Sequence, residues 1–234
     1  MKNKFKYFAL ILIAATLFVP NILIDTPIIS NGIAYAWINA DLISANDSYQ
    51  SSQPAIASDI SDNIYIDWNE SVLGPDTNIY YDTILSGAGT PQNNVKVSGT
   101  HTNTTYLSIV ANKVLGEVYA LFADMDHIHY RKLVLTGDIG TTTLKVVRDA
   151  VNSWYPSSAV SQISTQTRLH VVYTRYTTGT PNAFNIFYKQ LDPTQADGSD
   201  DVVSERQVNS TTGGCTAYFG ARIAADSSGN SYVI

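Results

Sequence analysis

Three four-residue segments, Asn78-Ile79-Tyr80-Tyr81, His127-Ile128-His129-Tyr130 and Asn185-Ile186-Phe187-Tyr188, repeat one pattern along the chain. Each reads polar residue, isoleucine, aromatic or histidine, tyrosine. A short apolar run precedes each at a similar distance, as in Ile64-Tyr65-Ile66-Asp67-Trp68 before the first copy. Such a recurrence is the signature of stacked units that each need a neighbour to bury an apolar face. It constrains the fold more tightly than any catalytic motif here constrains the chemistry.

Read in order, the units contain short strands separated by polar turns. The first has strands at 54–57, 64–68, 78–85 and 94–97, and the second at 107–111, 117–122, 127–135 and 141–147. A third unit follows at 159–164, 168–173, 185–191 and 202–208, and a fourth begins with 221–225 and 231–234. The intervals between Tyr65, Tyr119, His170 and Tyr232, one in each second strand, are 54, 51 and 62 residues, the last lengthened by an insertion at 192–201. Four strands per unit at this period predict an all-β, β-propeller-like array of four-stranded blades. About three and a half blades fit, so the ring is incomplete and the chain reads as an N-terminal fragment. The missing blades would come from a longer C-terminal part or from a second chain.

Both faces of the strands carry apolar side chains, as a blade between two neighbours requires. In 64–68 the two isoleucines and Trp68 share one face and Tyr65 lies on the other, at the period of two that a strand imposes. A β-sandwich is the rival architecture, and the recurring third-strand signature disfavours it. Tyrosine, at 15 copies, and the low charged fraction of 15% suit pleated, half-buried strands.

The units at 54–68 with 78–84, and at 222–233, resemble the repeats of secreted bacterial and archaeal β-propellers of the broad sialidase-like (BNR) class. The last also resembles the SBBP propeller repeat. Asp226-Ser227-Ser228-Gly229 keeps an Asp-to-Gly turn, whereas the stricter Asp-box, Ser-x-Asp-x-Gly-x-x-Trp, is absent. The resemblance therefore implies the fold rather than catalysis. A sialidase-like member would resemble its family in using an arginine cluster and a tyrosine nucleophile, and the spacing of Arg131, Arg148, Arg168, Arg175, Arg206 and Arg222 assembles no such cluster.

Residues 1–36 read as an address. Lys2, Lys4 and Lys6 precede the apolar run from Tyr7 to Val19, and Ala34-Tyr35-Ala36 offers a cleavage site that leaves Trp37 first. The alternative is an uncleaved anchor from Tyr7 to Ile24, which Pro20 and Asn21 interrupt. Either way residues 37–234 lie outside the cytoplasm, secreted or at the cell surface, with a membrane engaged only through the uncleaved segment. Sequons at Asn46, Asn69, Asn103 and Asn209 fit that location, each read as a turn-like stretch open to solvent.

The net charge of −6 excludes a nucleic-acid partner held by phosphate contacts. The single cysteine, Cys215, excludes an intrachain disulfide and reads as a small buried hydrophobe. Two constellations carry ligand-type residues. Asp197, Asp200 and Asp201 lie in the insertion and form an oxygen-rich candidate loop for Ca²⁺, the one cofactor the composition suggests. Asp124-Met125-Asp126-His127-Ile128-His129 puts two imidazoles on one strand face, as a metal site would. The repeat instead aligns His127 with Asn78 and Asn185, and His129 with Tyr80 and Phe187, which makes them structural positions. No catalytic residues stand out. The reading that results is a non-catalytic binding or scaffolding module for a glycan or an extracellular protein, and the alternative is an incomplete sialidase-like glycoside hydrolase.

Overall fold

The computed structural model describes residues 49–71, 76–86, 95–124, 127–135, 142–148, 152–177, 183–209 and 220–234. The leader 1–36, Asn46 and Cys215 lie outside the described residues.

Fourteen strands in three four-stranded sheets and one two-stranded sheet make up the described structure, and no helix occurs among the described residues. The first sheet runs β1 (Gln50–Ser58), β2 (Ile64–Ser71), β3 (Thr77–Ile84) and β4 (Val95–Lys96) in spatial order. The second follows the same order with β5 (Thr104–Asn112), β6 (Glu117–Asp124), β7 (His127–Leu133) and β8 (Lys145–Arg148). A third has β9 (Ser153–Ile163), β10 (Gln166–Thr177), β11 (Ala183–Leu191) and β12 (Asp201–Gln207). The chain ends in the hairpin of β13 (Ile223–Ala225) and β14 (Ser231–Val233). Every neighbouring pair is antiparallel, so the fold is all-β and each sheet is a simple meander.

The registers agree between sheets. Tyr65 pairs with Ala57 and Thr83, Tyr119 with Val110 and Lys132, and His170 with Ala159 and Gln190. Counted back from Thr83, Lys132 and Gln190, the isoleucines Ile79, Ile128 and Ile186 occupy the same position on each third strand. Tyr232 faces Ala224 in the terminal hairpin, as Tyr65 faces Ala57.

Packing explains why β6 has no polar face. Val118, Ala120 and Phe122 turn toward the first sheet and join Tyr65, Ile79, Tyr81 and Val97 in one core cluster. Tyr119, Leu121 and Ala123 turn the other way and join Leu169, Val171, Tyr173, Phe187 and Leu191 of the third sheet. Alternate side chains of one strand thus serve two interfaces, which follows from strand periodicity once a sheet lies between two others. The first strands lie side by side: β1 packs beside β5, β5 beside β9, and β9 beside β13. A side-chain bond between the Ser108 and Ser158 hydroxyls at 2.8 Å ties β5 to β9, and Asn112 Nδ2 donates to Thr167 Oγ1 of β10 at 2.8 Å.

The first strands begin earlier than the hydrophobic pattern predicts. Each continues upstream through a bulge, with the register shifting between Ser52 and Ala55, between Thr105 and Ser108, and opposite Val172 and Thr174. At each bulge one side chain has a left-handed backbone: Gln53 (φ 52), Tyr106 (φ 56) and Tyr155 (φ 55). A bulge breaks alternation, so the polar residues beyond it carry no readable period.

One turn occurs twice in full. Asp59 accepts from the Ser61 and Asn63 amides at 2.8 and 3.0 Å, from Asn63 Nδ2 at 2.9 Å and from the Tyr65 hydroxyl at 3.3 Å. Asp226 accepts the same four bonds from the Ser228 and Asn230 amides, Asn230 Nδ2 and the Tyr232 hydroxyl, at 2.9, 2.9, 2.8 and 3.1 Å. The Asp-to-Gly turn of the sequence is therefore an aspartate cage that closes the β13–β14 hairpin.

Candidate functional site

At the end of the second sheet, the last residue of β6 and the first residues of β7 meet the segment that leaves β4 for β5. Asp124 is the last residue of β6 and pairs across the ladder with His127, while His129 faces Phe122. His101, from the segment after β4, completes the group. Its Nδ1 bonds Asp124 Oδ2, and His129 Nε2 lies 2.9 Å from Asp124 Oδ1. The carboxylate is thus bridged between two imidazoles. Among the described residues, His101, Asp124 and His129 are the one trio of metal-ligand type whose donor atoms all lie within 4.8 Å of one another. His127 flanks them, with Nδ1 3.4 Å from Asp124 Oδ1.

The rings pack closely: His101 and His129 centroids are 4.4 Å apart, and Phe122 stacks on His129 at 5.4 Å. Asp124 and His129 are buried, while the side chains of His101 and His127 remain 35% and 38% exposed. Burial alone would raise the Asp124 carboxyl. The charge of His129 and the bonds from His129 and His101 outweigh it and hold the carboxyl below its ordinary value. Burial also dominates at His129 and lowers its imidazole, against the opposing pull of Asp124.

The alignment of His127 and His129 with residues of the other sheets holds in the ladder. Asp124, His127 and His129 occupy the registers of Glu70, Asn78 and Tyr80 in the first sheet and of Arg175, Asn185 and Phe187 in the third. Equivalent positions therefore carry different chemistry, and only in the second sheet do they bring carboxylate and imidazole together. Sequence reasoning noted the segment that holds Asp124, His127 and His129 but read the two histidines as structural positions, and it missed His101. No local spacing signals it, because the approach depends on the first and second sheets facing each other.

The acidic insertion takes a different form. Asp200 is buried and accepts the Tyr130 hydroxyl at 2.5 Å, Asp197 accepts the Val146 amide at 3.1 Å, and Asp201 pairs with Lys189 at 2.7 Å. Each carboxylate faces its own protein partner, so the three do not present a shared oxygen cage. Asp192 at the loop's start caps Thr194 and pairs with Arg168 at 2.7 Å.

The sequons differ in setting. Asn103 has a left-handed backbone (φ 57) just before β5. Asn209 follows β12, with its Oδ1 accepting the Ile186 amide at 2.8 Å. Asn69, by contrast, is buried inside β2 and donates to Gln53 Oε1 at 2.8 Å, which corrects its reading as a turn open to solvent. Trp154, Tyr155 and Pro156 lie inside β9. Tyr155 packs on Tyr106 with centroids 4.0 Å apart, and Trp154 on Phe184 at 6.1 Å.

No family model matches the chain, and no curated protein or solved structure matches it either.

Proposed function

We propose that the chain is an exported, non-catalytic binding or scaffolding module for a glycan or an extracellular protein, its sheets arranged as blades of a propeller-like array. The observation that carries this reading is β6, whose alternate side chains fill the two core clusters shared with the sheets on either side. A sheet enclosed on both faces spends its strands on packing and leaves the loops at its ends for recognition. The common registers and the row of first strands support the same arrangement.

A sialidase-like hydrolase is the second reading, and one trio favours it. The Tyr173 hydroxyl donates to Glu205, which also pairs with Arg175 at 2.5 Å. Tyr173, however, is 0% exposed within the cluster between the second and third sheets, where no sugar reaches it. Two further arginines work locally. Arg131 donates to the carbonyls of Val97 and Thr142, and Arg168 pairs with Asp192.

The two readings separate when the full chain is tested on a glycan array and a panel of fluorogenic glycosides. Retention of a glycan without turnover supports the binding module. Turnover that Tyr173→Phe abolishes replaces it with the hydrolase. N-terminal sequencing of the exported product tests the leader, and a start at Trp37 is the expected result.

A further inference from the structure

We infer that His101, Asp124 and His129 form a binding site for one divalent transition-metal ion, zinc in preference to the harder cations. Two imidazole nitrogens and one carboxylate oxygen converge within 4.8 Å. Donors around a tetrahedral zinc ion, each about 2.0–2.2 Å from it, stand roughly 3–4 Å apart, so small side-chain shifts close the site. Imidazole with carboxylate suits zinc, copper or nickel, whereas calcium and magnesium select oxygen alone.

The metal-free arrangement prepares the site. Asp124 holds both rings by hydrogen bonds, His101 through Nδ1 and His129 through Nε2, so each imidazole already directs a nitrogen at the carboxylate. A bound ion takes the place of the shared protons: as each coordinating nitrogen is freed, the proton of the neutral ring moves to its other nitrogen, Nε2 of His101 and Nδ1 of His129. Phe122 fixes the plane of His129 from one side. His127, 38% exposed and 3.4 Å from Asp124 Oδ1, stands beside the trio, and a fourth position falls to water or to that imidazole.

One feature bounds the affinity. Nδ1 of His129 is buried without a hydrogen-bond partner. Metal on Nε2 places the ring proton on that atom with no acceptor, and lost outer-shell partners typically weaken metal binding about 10–100-fold. The site is therefore weaker than one with a complete outer shell. The fold does not require Asp124 or His129, since the equivalent positions hold Glu70 and Tyr80 in one sheet and Arg175 and Phe187 in the other. The proposal also stands apart from the binding-module reading, because it depends only on the contact between the first two sheets.

Calorimetric titration of the metal-stripped full chain with Zn²⁺, paired with the visible spectrum on adding Co²⁺, tests it. The expected result is one saturable ion per chain and a tetrahedral cobalt band. His101→Ala, at a half-exposed side chain, should weaken binding about 10–100-fold with an unchanged circular dichroism spectrum. The near-isosteric Asp124→Asn should weaken it as well. Absence of a saturable equivalent overturns the proposal, and so does binding that neither substitution changes, which would place the ion elsewhere. Metal binding without glycan retention would leave this site standing and remove only the glycan reading above.

Discussion

The hydroxyl of Tyr130 on β7 donates to the carboxylate of Asp200, 70 residues later, at 2.5 Å and in a buried setting. The bond fastens the second sheet to the loop between β11 and β12 of the third. Burial first, then the bond and charge of Asp200, push the Tyr130 phenol far above its ordinary value, so the tyrosine stays a neutral donor. Tyr130→Phe removes the donor and strands a buried carboxylate. The expected loss is about 1–3 kcal/mol of unfolding free energy, read from urea denaturation at neutral pH.

Asp67 presents the opposite situation. It is fully buried in β2 on the face that carries Tyr65, and neither carboxylate oxygen has a hydrogen-bond partner on another residue. Burial pushes its carboxyl well above the usual range. The corresponding positions, two beyond Tyr119 and His170, hold Leu121 and Val172. Asp67→Val is expected to stabilise the chain by about 1–3 kcal/mol at pH 7. A carboxyl with a raised folded value contributes fully below its unfolded value, near 3.8, and the contribution is lost as pH rises toward the folded one. The advantage of the variant should therefore grow as pH rises from about 4 to 7, and a pH-independent difference in Tm would contradict this account.

The two aspartate cages differ in burial, and substitution should expose the difference. Asp59 is buried, whereas Asp226 sits in an exposed turn of the terminal hairpin. Asp59→Ala strands four donors and should cost about 2–3 kcal/mol, while Asp226→Ala should cost less. Burial raises the Asp59 carboxyl, but the bonds from Asn63, Ser61 and Tyr65 prevail and hold it below 3.8. Its stabilisation is present above that value and is lost as pH falls through the lower folded one. The penalty of Asp59→Ala should accordingly shrink in acid, as thermal unfolding from pH 7 to pH 3 would record.

Gly220 abuts the bulge of β9. A Cβ at this position would lie 2.6 Å from Tyr155 Cβ and 3.1 Å from its carbonyl oxygen. Neither atom is the free end of a side chain, so Gly220→Ala must move backbone. It should cost about 1–3 kcal/mol and loosen the segment leading to β13. Faster amide exchange at Ile223–Ala225 than in the wild type is the corresponding observation.

Strand periodicity and polar turns are local properties, and they made the all-β class and nearly every strand readable without coordinates. The recurring Ile-x-Tyr positions and the series Tyr65, Tyr119, His170 and Tyr232 fall in matching registers because each is set by hydrogen bonds within one hairpin. Bulges at Gln53, Tyr106 and Tyr155 erased the period, so the starts of β1, β5 and β9 were not legible. Asn69 read as a turn because its own side chain is polar, whereas the ladder of β2 with β1 and β3 buried it.

Asp124, His127 and His129 were visible in the sequence, since they lie on one hairpin, although the repeat made the two histidines read as structural positions. His101 reached them only through the packing of Val118, Ala120 and Phe122 against Tyr65, Ile79 and Tyr81, which brings the end of the first sheet to the end of the second. The acidic loop shows the converse. Its composition invited a cation, but the neighbouring sheet and strand supplied Tyr130, Val146 and Lys189 as partners for the three carboxylates. Alternation along a strand decides which side chains face inward, and the sequence carries it. Which inward or terminal groups then meet depends on how separate sheets dock, and that is a property of the tertiary structure alone.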